Sequence, residues 1–160
     1  MKHYEMKRKD REVTDREWME EILKRGQVVH IGLADAEGWP YVVATGYGYK
    51  DGAIYLHGAP VGRKNDILAV NPRACFQVEV DVELLRTPAG RGFSMKYRSV
   101  LGFGHVRTLT DPAEKDEALK ILMDQYDGPH DDLGEKDIAR VWVARLEIES
   151  MTGKRANYSE

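Results

Sequence analysis

Alternating apolar and polar positions dominate this chain. From Gln27 to Asp35 the apolar side chains are Val29, Ile31 and Leu33, the period-two pattern of a strand with one buried face. Ala36-Glu-Gly38 reads as a turn, and Pro40 to Lys50 as the next strand, with Tyr41, Val42, Val43 and Ala44 followed by Gly46-Tyr-Gly-Tyr49. Lys50-Asp-Gly52 is a hairpin signal leading into a third strand, Ala53 to His57. Short turns join these three segments. They are therefore expected to be antiparallel neighbours, because parallel pairing needs a long crossover. Arg73 to Val82, Gly92 to Leu109 and Ala139 to Met151 read as three more strands. A polar excursion from Asp81 to Arg91 separates the first two of them, and Gly102 and Gly104 predict a bend or a close backbone approach in the longest. In the last strand the apolar phase switches from Val141 and Val143 to Leu146 and Ile148, which predicts a bulge.

Three stretches follow a helical period instead. Thr14-Asp-Arg-Glu17 is a capping box, with Trp18, Met19, Ile22 and Leu23 on one side of the helix and Gly26 as its stop. Asp111-Pro-Ala-Glu114 starts another, with Asp111 as N-cap, Pro112 in the first turn, and Leu119, Leu122, Met123 and Tyr126 on one face. Asp127-Gly-Pro ends it, and an acidic loop is expected up to Asp137. The third is short. It begins at Arg63-Lys64, carries Ile67, Leu68 and Val70, and stops at Asn71-Pro72. Antiparallel strands with few helices predict a mainly β fold, a barrel or sandwich. The expected organisation is a loose segment 1–11, one domain over 12–154 and a tail 155–160.

The stretch between strand and short helix carries the candidate chemistry. Gly58-Ala-Pro-Val-Gly62 excludes regular structure, and Arg63 and Lys64 then place two cations at a helix start, against the macrodipole. An anion held by loop N–H groups and both cations would account for them. A loop with two solvated cations is the competing reading.

Totals narrow the field. A net charge of −3 over 160 residues supplies no electrostatic case for nucleic acid or a membrane surface. No apolar run approaches the roughly 20 residues of a membrane span. One cysteine, Cys75, excludes an intrachain disulfide, suits a reducing, cytoplasmic setting, and reads as a buried structural thiol. The histidines (His3, His30, His57, His105, His130) lack metal-ligand spacing, and His30 and His105 read as hydrogen-bonded core or interface residues. Tyr47 and Tyr49 read as core. No nucleophile elbow, P-loop or complete dinucleotide fingerprint is present. Any redox or group-transfer chemistry is then expected to come from a cofactor.

Four segments in order carry a resemblance: Tyr41-Val-Val-Ala-Thr-Gly-Tyr47, Ile54-Tyr-Leu-His-Gly-Ala59, Gly62-Arg-Lys64 and Met95-Lys-Tyr-Arg-Ser-Val-Leu-Gly-Phe-Gly104. With Met6 onward and Thr152-Gly-Lys154, they make the chain resemble the flavin-binding split-barrel family related to pyridoxamine 5′-phosphate oxidase, in its nitroimidazole-resistance branch. The resemblance implies a six-stranded antiparallel split β-barrel, a homodimer, and FMN at the dimer interface. It implies that Val43, Ala44, Thr45 and Gly46 run beside the isoalloxazine ring. It places His57, Gly58, Arg63 and Lys64 near the phosphate, and brings Tyr97, Arg98 and Ser99 from the partner subunit. Trp39, Thr45 and Gly62 depart from the residues expected at their positions. The implied activity is a flavin-dependent reductase that passes electrons from NAD(P)H to a small electrophile such as a nitroaromatic. His57 is its candidate proton donor, or else a structural histidine. A non-catalytic flavin-binding or storage module, and the same barrel holding a deazaflavin or haem, remain the alternatives.

Overall fold

The computed structural model describes residues 5–86, 92–129 and 134–158. His3, His130, the end of the expected excursion at 87–91 and part of the expected acidic loop lie outside them. The elements in chain order are β1 (Glu12–Val13), α1 (Arg16–Arg25), β2 (Val29–Ala34), β3 (Pro40–Thr45), β4 (Gly48–Lys50) and β5 (Ala53–Gly58). They continue with α2 (Arg63–Val70), β6 (Arg73–Arg86), β7 (Phe93–Thr108), α3 (Pro112–Asp124), α4 (Glu135–Arg140) and β8 (Trp142–Ala156). The fold is mainly β with accessory helices. All strand pairs are antiparallel, and the hydrogen-bonded order is β3-β2-β6-β7-β8-β5-β4, with β1 on β8. Among the described residues, six strands are six residues or longer, and β1 and β4 are short additions.

The expected run of three neighbouring strands from Gln27 to His57 is corrected. β2 pairs with β3 and β4 pairs with β5, but β3 and β4 lie at opposite ends of the sheet path. The chain breaks at Gly46-Tyr47 and crosses over there. Tyr47 is fully buried; its N–H donates to the Tyr126 hydroxyl at 2.8 Å and its own hydroxyl donates to the Leu23 carbonyl at 2.5 Å. Two hydrogen bonds to distant elements therefore replace the ladder bonds that a continuous strand would make.

Other boundaries move for local reasons. Asp15, not Thr14, caps α1, accepting from the Trp18 N–H at 2.7 Å. β6 continues past Val82 to Arg86, after a register shift between Val80 and Glu83 at which Asp81 adopts φ 55. Residues 135–140, expected as loop and strand start, form α4. The Asp111 cap holds as expected, accepting from the Glu114 N–H at 3.0 Å. The bulge between β7 and β8 falls at Phe103/Gly104, where a Cβ on Gly104 would overlap the Glu147 carbonyl. That glycine is required by close backbone approach, as the sequence predicts.

One main core packs α1 against the sheet. Met19, Ile22 and Leu23 of α1 meet Val29, Ile31, Leu33, Phe76, Val78, Val100 and Leu146. A smaller cluster packs α3 and α4 on Leu109 and Val143. No helix among the described residues is long and apolar enough to cross a membrane.

Candidate functional site

α2 is placed by its two ends. Gly62 precedes it at φ 132, a left-handed conformation that favours glycine, and no side chain caps its first turn. Asn71 closes it and donates from Nδ2 to the Ala34 carbonyl of β2 at 2.9 Å. The helix thereby starts with uncapped N–H groups and two cations pointing different ways. The Arg63 guanidinium lies 5.5 Å from the Tyr41 ring centroid in β3, with Asp35 Oδ2 at 3.7 Å, and its side chain is 62% exposed. Lys64 turns inward. Its Nζ lies 3.8 Å from the Trp142 ring centroid, and a Cβ on Gly58 would stand only 2.9 Å from that nitrogen. Burial pushes the Lys64 pKa down, and among the described residues no carboxylate pairs with it.

Of the predicted groups, the structure brings Lys64 to Gly58 at the end of β5. Arg63 reaches β3 at Tyr41, ahead of Val43-Ala44-Thr45-Gly46 in the strand. β3 is an edge strand: β2 is its one strand partner among the described residues, which leaves its other edge of backbone N–H and C=O groups to find partners elsewhere. Its side chains alternate exposed Pro40, Val42 and Ala44 with half-buried Tyr41, Val43 and Thr45. Thr45 turns its hydroxyl to the Gly46 carbonyl at 3.2 Å. His57 is exposed, opposite Val143. Trp39 is 69% exposed beside this strand, and Val42 and Val61 are exposed with it.

Tyr97, Arg98 and Ser99 are elsewhere in the same chain. In the β7–β8 ladder, Ser99 sits opposite Lys154, nine residues from the Thr108–Ala144 pair that adjoins Trp142. At the rise of a strand that is about 30 Å. Tyr97 and buried Ser99 line a cavity of about 330 Å³ with Gln77, Leu101, Thr152 and Lys154. Met6 also lines it, so the opening and closing segments of the chain meet there. Gln77 lacked any local motif, and Lys154 stood out only within the Thr152-Gly-Lys154 segment; the strand register brings both to Ser99. Arg98 faces Asp81 at 2.5 Å, and its guanidinium covers the Tyr158 ring at 3.7 Å.

A further cavity, of about 710 Å³, is lined in part by Arg73, Cys75, Phe103 and His105. Cys75 is a half-buried free thiol whose pKa burial raises, as suits an inert cysteine. His30 and His105 are not core residues. Both face outward, with His30 Nδ1 3.5 Å from Glu79 and His105 Nδ1 bonded to Glu149. Tyr47 and Tyr49 are core. No group of three or more metal-capable side chains occurs among the described residues.

A sequence model described as pyridoxamine 5′-phosphate oxidase matches residues 15–155. Among solved structures, a Bacteroides thetaiotaomicron protein provisionally assigned to 5-nitroimidazole antibiotic resistance is 29% identical. The match covers 89% of this chain and 85% of that one, with a TM-score of 0.80. An FAD-binding protein from Mesorhizobium loti is 26% identical over 92% of this chain and 98% of its own, with a TM-score of 0.68. A flavocytochrome from Azotobacter vinelandii shares the fold at 23% identity, over 97% and 73% of the two chains, with a TM-score of 0.79. A search of curated proteins finds no match.

Proposed function

The chain belongs to the pyridoxamine 5′-phosphate oxidase family, and from that premise we propose that it is an FMN-binding homodimeric reductase. It would pass electrons from NAD(P)H to a small electrophile, with a nitroaromatic as the favoured class. The observation that carries the cofactor reading is Lys64. A half-buried ammonium without a carboxylate is costly, and a phosphate dianion would offset that cost while also taking the uncapped N–H groups of α2. The edge of β3 without a strand partner among the described residues fits the rim of a flat ring that needs backbone hydrogen bonds, and the small, exposed side chain of Ala44 leaves room for its approach.

The separation of the expected site residues supports the dimer. Tyr97 and Ser99 lie about 30 Å along β7 from the Lys64 side, a distance that favours their meeting one flavin from two different chains. A second copy can supply the cavity that holds Ser99. When bound, FMN supplies the hydride and electron transfer. The chain's share is to hold the phosphate with Lys64 and Arg63, line the ring with β3, and offer His57 as a proton donor. The nitroaromatic acceptor is supported by the sequence resemblance and by the Bacteroides structure.

The test is titration of the purified protein with FMN, followed by anaerobic addition of NAD(P)H and then a nitroaromatic. Saturable binding, bleaching by the donor and recovery with the acceptor are expected. Binding without reduction by any donor would leave a flavin-storage protein. Uptake of haem or a deazaflavin in preference to FMN would overturn the cofactor.

A further inference from the structure

The environment of Lys64 is more specific than a charge near a loop. The ammonium sits against two neighbouring residues. One is Trp142, 7% exposed, whose indole face carries the ammonium and whose Nε1–H donates to Thr108 Oγ1 at 3.2 Å. The other is Gly58, which pairs with Trp142 in the β5–β8 ladder, so both contacts belong to one cross-strand pair. Any side chain at 58 would push the nitrogen away, since the Cβ alone would stand at 2.9 Å. An aromatic face attracts a cation without neutralising it, whereas a carboxylate would cancel the charge that an anion needs.

We propose that Trp142 is the positioning residue for Lys64: its indole face, oriented by Thr108 and kept open beside it by the missing side chain of Gly58, holds the ammonium un-neutralised so that the protein discriminates a phosphorylated flavin from its dephosphorylated form. This rests on the flavin-phosphate reading above and adds a residue to it. Neither Trp142 nor Thr108 has a local motif; the fold brings them to Lys64. The desolvation that lowers the Lys64 pKa is the expected companion of such a seat.

The test measures dissociation constants for FMN and for riboflavin in the full-length protein by flavin fluorescence. The readout is their ratio, because riboflavin lacks only the phosphate. Wild type is expected to prefer FMN by about tenfold or more, the range of a charge-assisted hydrogen bond. Trp142→Leu should abolish most of that preference, and Trp142→Phe, which keeps an aromatic face, should retain part of it. Riboflavin affinity should stay near wild type in both. Gly58→Ala should also lower the preference while leaving the indole in place. In a Lys64→Met background, Trp142→Phe should change the ratio no further.

Preference retained in Trp142→Leu, or FMN and riboflavin affinities falling in parallel, would overturn the proposal, since a purely structural tryptophan would affect both ligands alike. Should Trp142→Leu fail to fold, the phenylalanine and Gly58→Ala variants decide by the same ratio. A wild-type protein that binds both flavins equally would remove the phosphate clamp itself, and this inference with it. Wild-type preference with unaffected variants would leave the clamp intact and refute only the role of Trp142.

Discussion

Replacing Gln125 with leucine is predicted to destabilise the protein by about 2–4 kcal/mol. Gln125 follows α3 and joins three elements. Its Nε2 donates to the carbonyls of Leu23, Lys24 and Gly26 at 2.9–3.0 Å, and its Oε1 accepts from the Tyr49 N–H at 3.1 Å. Leucine fills similar space with no polar atoms. Leu23 would keep the Tyr47 hydroxyl as a donor, and the Lys24 bond is exposed enough for water to replace it. The Tyr49 N–H and the Gly26 carbonyl would be left without these partners. Both bonds are half-buried, so each orphaned group costs about 1–2 kcal/mol, the lower part of the usual range. In a chain of this size the melting temperature should drop by roughly 5–15 °C. Urea denaturation at constant m-value is the assay. A loss under about 0.5 kcal/mol would show that Gln125 decorates the β3–β4 break rather than holding it. Gln125→Glu keeps the acceptor for Tyr49 but sets a carboxylate against carbonyl oxygens, so it should not rescue.

Other outcomes follow from the same contacts. Lys64→Ala should weaken FMN binding by about ten- to a hundredfold and Arg63→Ala by only a few-fold, because the exposed guanidinium is already engaged by Asp35 and Tyr41. Equal effects, or an unchanged affinity in the double variant, would place the phosphate elsewhere. At Asp81, partial burial works to raise the carboxyl pKa, but hydrogen bonds from Arg98 and Arg25 outweigh it and hold the group below the usual carboxylate range. Its stabilising contribution is therefore present at neutral pH and lost as pH falls through the folded-state value. Asp81→Asn, which tolerates the positive φ, should lower the urea midpoint near pH 7, and that deficit should shrink by about pH 3. A deficit independent of pH would mean the ion pairs contribute nothing. Mixing subunits carrying Lys64→Ala with subunits carrying Ser99→Trp should restore one intact site per mixed dimer, so flavin binding lost in each variant alone should partly return. No recovery after confirmed subunit exchange would contradict a shared site.

Where local chemistry decided the structure, the sequence was readable. Val29, Ile31 and Leu33 alternate because one face of β2 is buried, and Asp111 with Pro112 caps α3 as its pattern predicts. The β3–β4 break was not readable. Apolar and small residues continue through Gly46 and Gly48, and what stops the strand is Tyr126 and Gln125, more than 75 positions away. The extension of β6 was hidden for a related reason: Asp81 looks like a loop residue, yet its turn is a bulge braced by Arg25, Arg98 and the Tyr158 hydroxyl. The candidate site divides in the same way. Gly58, Gly62, Arg63 and Lys64 are contiguous enough to be recognised as a cradle. Trp142 and Gln77 reach their neighbours only through strand register, for which the sequence carries no local signal.

Native mass spectrometry of the purified protein saturated with FMN tests the central claim most directly. A dimer carrying two FMN molecules is predicted, with the flavin lost when dimers dissociate. A monomer that retains FMN, or a dimer that takes up none, would contradict it.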